Sequence, residues 1–102
     1  MERSRIGSKD TSTAMWRCRS SWWIAPGGGP VLHTHPYEEV FVTLEGNATF
    51  AIGDTIDVCV GQIVVAPACV SHKFVNFGIE PLRQIDIHHS GRFQQVNIPE
   101  DL

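Results

Sequence analysis

The sequence has no apolar run that approaches the roughly 20 residues of a transmembrane helix. It also has no clustered basic face, because its 8 lysines and arginines are interspersed with 11 acidic residues, which leaves a formal charge of −3. It lacks the basic amphipathic stretch of a helix that lies on a membrane surface. These absences predict a protein that binds neither nucleic acid nor membranes.

Cysteine is scarce and is not arranged as a disulfide framework. The chain has 3 cysteines, Cys18, Cys59 and Cys69, an odd number without CxxC spacing. Arg3 and Arg5 are followed by no apolar segment, so the sequence predicts no secretory signal peptide. A reducing cytoplasm is therefore the expected compartment.

Helical periodicity is missing, and short runs of β character separated by Gly, Pro, Asn and Asp take its place. These runs cover residues 31–35, 39–44, 48–52, 55–60, 63–66, 72–77 and 82–88. Their number and spacing predict an all-β sandwich or barrel. With 102 residues, the chain is expected to form one domain over residues 14–102, preceded by a flexible, polar N-terminal tail over residues 1–13.

Three histidines and one glutamate form a candidate set of metal ligands. His33 and His35 are two residues apart, so on a strand their imidazoles point to the same face. Glu39 begins the next run, and His72 opens a later one. Three imidazoles and a carboxylate suit a divalent transition metal. From spacing alone, the alternative that these are ordinary polar residues on a strand face stays open.

Two stretches resemble the paired motifs of the cupin superfamily. Residues 27–46 read as a glycine, five residues, His-x-His, three residues, a glutamate, six residues and a glycine. Residues 61–76 are similar to the second motif, with Gly61, Pro67, His72 and Asn76 in register. The second motif often has a further glycine where this chain has Cys69. Because a positive φ would cost cysteine roughly 1 kcal/mol or more, a slightly different turn is expected there.

The resemblance implies a double-stranded β-helix, or jelly-roll, cupin barrel. It also implies one divalent transition metal ion (Mn, Fe, Ni, Zn or Cu) held by His33, His35, Glu39 and His72.

Strand alternation from these ligands predicts that Phe41, Thr43 and Phe74 line a pocket above the metal. The other candidates for the lining are Trp22, Tyr37, Phe50, Asn76 and His88, and Tyr37, in the loop by the metal, would otherwise be a rim residue. Several alternatives remain open. Asn76 would otherwise cap a turn at the end of the barrel, Trp22 would serve core packing or a dimer interface, and His88 would be a histidine at the rim.

Three functions are compatible with such a barrel, since a fold does not name a reaction. The favoured one is a metal-dependent enzyme, dioxygenase-like or isomerase-like, acting on a small organic molecule. The alternatives are a non-catalytic module that binds a sugar or an organic acid, and a structural metal site in an assembly protein. A homodimer is also predicted, because residues 15–24 carry much apolar and aromatic surface for a small monomer.

Overall fold

The computed structural model describes residues 17–18 and 22–100, with side chains from Trp23 onward. Within these residues the chain forms ten strands and no helix, as the all-β prediction requires. It follows that no described helix is long and apolar enough to cross a membrane. The predicted flexible tail, residues 1–13, lies outside the described residues.

The strands are short, and most follow the runs predicted from the sequence. They are β1 Arg17–Cys18, β2 Trp22–Ile24, β3 His33–Thr34, β4 Glu39–Glu45, β5 Asn47–Ile52, β6 Asp54–Cys59, β7 Ile63–Ala66, β8 Lys73–Val75, β9 Leu82–His88 and β10 Val96–Asn97. The bounds of β7 and β9 are those predicted. The run at residues 31–35 shortens to β3, and β10 was not predicted, because its two residues carry no β pattern of their own.

The strands pair in an antiparallel manner in three sheets. The largest has the order β1-β9-β4-β7, with β2 also pairing with β9; the second has the order β6-β5-β8, and the third joins β10 to β3. An isolated bridge between His33 and His72 links β3 to the start of β8. Strands distant in sequence are therefore brought together at the end of the barrel that carries the histidines.

Alternation along β4 separates the core from the outer surface. Glu39, Phe41 and Thr43 are buried, whereas Val40 and Val42 between them are half-buried on the opposite face. Aromatic rings dominate the core: the Phe41 and Phe50 centroids lie 4.9 Å apart and those of Phe50 and Phe74 lie 5.1 Å apart. The remaining core side chains are Ala48, Val58, Val64, Ala66 and Leu82.

The turn before His72 keeps a left-handed backbone despite the cysteine. Cys69 has φ +67°, so the expectation of a different turn shape is wrong. The Cys69 amide donates a 2.8 Å hydrogen bond to the His35 carbonyl, which ties this turn to the segment that carries His35. Cysteine adopts the left-handed conformation at a cost of about 1 kcal/mol.

Candidate metal centre

Short antiparallel pairing places His33 beside His72. The His33 amide donates to the His72 carbonyl at 3.1 Å, and the His72 amide donates to the His33 carbonyl at 2.8 Å. The two imidazole centroids are 4.4 Å apart. Two histidines separated by 39 positions in the chain thus share one buried location.

Glu39 completes the cluster from the first position of β4. Its Oε1 atom lies 3.0 Å from His35 Nε2 and 3.2 Å from His72 Nε2. One ligand atom from each of His33, His35, Glu39 and His72 lies within 4.8 Å of the others, and all four side chains are buried. The structure therefore brings together all four predicted ligands in the geometry of a potential metal site.

Backbone carbonyls orient all three imidazoles. Each Nδ1 lies within hydrogen-bond distance of a carbonyl oxygen: His33 to Val31 at 2.6 Å, His35 to Gln94 at 2.6 Å and His72 to Val70 at 3.0 Å. A carbonyl only accepts, so in the neutral imidazole the proton resides on Nδ1. The Nε2 lone pair is left for a metal, and this second contact fixes the tautomer as in known metal-binding histidines.

The surroundings of His33 favour its neutral form. Burial lowers the pKa of His33 below its usual value, the neighbouring His72 and His35 rings lower it further, and the Val31 carbonyl and Glu39 act in the opposite direction. Metal ions bind the neutral form of imidazole.

The nitrogen and oxygen atoms of the cluster suit a bound cation. His35 Nε2 is buried and makes no well-aligned hydrogen bond with any described residue, although Glu39 Oε1 is close in distance. A buried polar nitrogen without a partner is unfavourable, and a cation shared with Glu39 would satisfy it. Three nitrogen donors and one carboxylate suit the divalent transition metals.

A fourth histidine adjoins the cluster without joining it. His88 Nε2 lies 3.2 Å from Glu39 Oε2, and His88 Nδ1 lies 2.9 Å from the Tyr37 hydroxyl. The register of β4 with β9 places Glu39 opposite His88. The Tyr37 ring also stacks on His35, with centroids 4.9 Å apart and planes at 16°.

A cavity of about 370 Å³ opens beside the cluster. Three of the predicted pocket residues, Phe41, Phe74 and His88, line it together with His33, His35 and Glu39. The described lining also includes residues that were not among the predicted pocket residues: Ile24, Gly29, Pro30, Asp86, Phe93 and Gln95. The ring centroid of Phe93 lies 5.9 Å from that of His35. No local sequence pattern predicts this position of Phe93, because the irregular segment after β9, and not strand alternation, brings it to the cluster.

The other predicted pocket residues lie elsewhere. Phe50 and Thr43 are buried and do not line the cavity, and Tyr37 contacts His35 and His88. Asn76 caps a turn, since its amide nitrogen donates to the carbonyls of Ile24 and Glu80 and its oxygen accepts from the Gly78 amide. The side chain of Trp22 lies outside the described residues. Its neighbour Trp23 is 60% exposed.

The family comparison agrees with the fold. The family model described as Cupin domain matches residues 21–88. No curated protein matches the sequence.

Similar solved structures have the same barrel. An uncharacterized conserved protein with a double-stranded β-helix domain from Klebsiella pneumoniae is 22% identical, with a TM-score of 0.70, over 76% of this chain and 66% of that one. The oxalate decarboxylase of Bacillus subtilis, studied for its Mn(II) centers, is 23% identical, with a TM-score of 0.72, over 82% of this chain and 24% of that one. An oxalate oxidase in complex with glycolate is 21% identical, with a TM-score of 0.74, over 83% of this chain and 47% of that one.

The chain thus spans two thirds or less of these proteins, and at such identities the likeness concerns the fold. The predicted double-stranded β-helix is confirmed.

Proposed function

The chain belongs to the cupin family, and on that premise we propose that it is a metal-dependent enzyme acting on a small organic molecule. The observation that carries the proposal is the buried cluster of His33, His35, Glu39 and His72, whose Nε2 and carboxylate donors converge. These residues would hold one divalent ion. When bound, the ion would supply Lewis acidity that polarises a ligand oxygen.

Manganese is the first candidate for the ion. Imidazole and carboxylate ligands accept manganese, iron, nickel, zinc or copper. The resemblance of the barrel to the oxalate decarboxylase of Bacillus subtilis, which has Mn(II) centers, favours manganese among these five.

An accessible cavity supports a role beyond structure. A purely structural site is closed to small molecules. Here three members of the cluster, His33, His35 and Glu39, contribute to the wall of the cavity of about 370 Å³. A ligand in the cavity could reach the ion, which argues against a structural metal in an assembly protein.

The cavity wall favours a small, largely apolar ligand with one oxygen-bearing group. The aromatic rings of Phe41, Phe74 and Phe93 supply apolar contacts. No lysine or arginine lines the cavity in the part of the chain that the structure describes, whereas Asp86 does. Ligands with two or more negative charges are therefore disfavoured, and a monocarboxylate or a hydroxylated aromatic compound is preferred.

The function is tested by metal analysis followed by activity assays. We expect protein purified without chelators or an affinity column to contain about one equivalent of a transition metal per chain. With the metal found, a panel of monocarboxylates, dicarboxylates and hydroxylated aromatics should show turnover of the first or third class. Binding without turnover would instead indicate the alternative, a non-catalytic binding module. Failure to bind any of the five metals at micromolar concentration would contradict both.

We also propose a reducing compartment, the cytoplasm, and a homodimer. Cys59 and Cys69 are both free and exposed, which supports a reducing environment. Most of residues 15–24, from which the dimer was predicted, lies outside the described side chains. The support for a dimer comes instead from the largest sheet, where the outward side chains Ile63 and Val65 of β7 are 63% and 48% exposed.

A further inference from the structure

Tyr37, His88 and Glu39 form a continuous polar chain behind the candidate metal centre. The Tyr37 hydroxyl is 2.9 Å from His88 Nδ1, and His88 Nε2 is 3.2 Å from Glu39 Oε2. All three side chains are buried. None of the contacts depends on a flexible surface side chain, since β4 and β9 hold Glu39 and His88 directly opposite each other.

The chemistry of the groups gives the chain a direction. The Tyr37 oxygen accepts from the Gln94 amide at 3.4 Å, and its hydroxyl lies 2.9 Å from His88 Nδ1, to which it can donate. His88 Nδ1 then accepts, and in the neutral ring the remaining proton is on Nε2, facing the Glu39 carboxylate. Tyr37 therefore donates to His88, and His88 donates to Glu39 Oε2.

We propose that Tyr37 and His88 are positioning residues that set the orientation of Glu39. The inference rests on the proposed metal-binding function. His88 holds Oε2, which leaves Oε1 directed to His35 and His72, where these residues would hold the ion. Tyr37 fixes the tautomer of His88. A ligand carboxylate that is held in this way loses less freedom when it binds a metal.

Substitutions at His88 test the inference through metal binding. His88→Leu removes the donor while keeping an apolar side chain of moderate size, and His88→Gln keeps an N–H near the position of Nε2. Competition with a chelator should show roughly 10–100-fold weaker manganese binding for His88→Leu. We expect His88→Gln to recover most of this loss, and Tyr37→Phe to weaken binding by roughly 2–10-fold.

A spectroscopic signal separates positioning from general damage to the fold. The electron paramagnetic resonance spectrum of bound Mn(II) should change in His88→Leu and return toward that of the unchanged protein in His88→Gln. His89→Gln is the matched control, because His89 is the next residue but pairs with Glu38 at 3.5 Å on the surface. Circular dichroism checks that each variant is folded, and Tyr37→Phe provides a second test if His88→Leu is not.

The possible failures are distinguishable. If the unchanged protein binds manganese and His88→Leu binds it with equal affinity and an identical spectrum, the positioning role is overturned and the metal site stands. If the unchanged protein binds no metal, the proposed function itself fails.

Discussion

Glu39→Gln is expected to weaken binding of a divalent transition metal by at least roughly 100-fold, since changes to outer contacts of metal ligands alone cost 10–100-fold. The substitution keeps the size of the side chain but removes the only carboxylate of the cluster. It also places an amide group where Oε1 now faces two imidazole nitrogens and Oε2 faces His88. An amide oxygen is a weaker metal ligand than a carboxylate oxygen, and the N–H₂ group cannot bind a cation.

Glu38→Gln is the matched control for this experiment. Glu38 is adjacent in sequence, but its carboxylate is exposed and pairs with His89 at the surface. Affinity is measured by chelator competition and by metal content after dialysis. Equal affinities for Glu39→Gln and Glu38→Gln would contradict the assignment of Glu39 as a ligand. If turnover is found, Glu39→Gln at saturating metal should impair it more than it impairs affinity for the organic ligand.

Gly46→Ala is expected to destabilise the metal-free protein by roughly 3–5 kcal/mol, from backbone strain and steric overlap together. Gly46 has φ +83°, a conformation that is costly for any residue with a β-carbon. A β-carbon at this position would lie 2.6 Å from the Pro81 carbonyl oxygen and 3.0 Å from the Leu82 α-carbon. The backbone must shift at the start of β9, the strand that carries His88.

Gly53→Ala separates the two causes. Gly53 has a similar φ of +75°, but a β-carbon there would have nothing within 4 Å. Its loss of stability should therefore reflect strain alone, about 1 kcal/mol. Urea denaturation of both variants, monitored by tryptophan fluorescence, gives the comparison. Equal losses would show that the approach of Pro81 to Gly46 relaxes without cost.

Features that depend on neighbours in sequence could be predicted well. The alternation of Glu39, Phe41 and Thr43 with Val40 and Val42 follows from the geometry of a single strand. The spacing of His33 and His35, and the bend that returns Glu39 toward them, are also local. For this reason the strands β7 and β9 and the grouping of four candidate ligands were anticipated from the residues and from the resemblance to cupins.

Features that depend on the pairing of distant strands could not be predicted. Glu39 meets His88 because of the register between β4 and β9, and a shift by one residue would turn His88 to the other face. His35 is oriented by the carbonyl of Gln94, 59 positions away. Phe93 reaches the cavity through a turn that has no β pattern.

The amino-acid sequence by itself determined the all-β class, the barrel family and the chemical identity of the candidate ligands, because periodicity and motif spacing act over a few residues. Only the tertiary structure decided which groups surround those ligands: the carbonyls on each Nδ1, the Tyr37–His88 pair behind Glu39, and the aromatic wall of the cavity. These contacts are set by sheet register and packing across the barrel, which are properties of the whole chain.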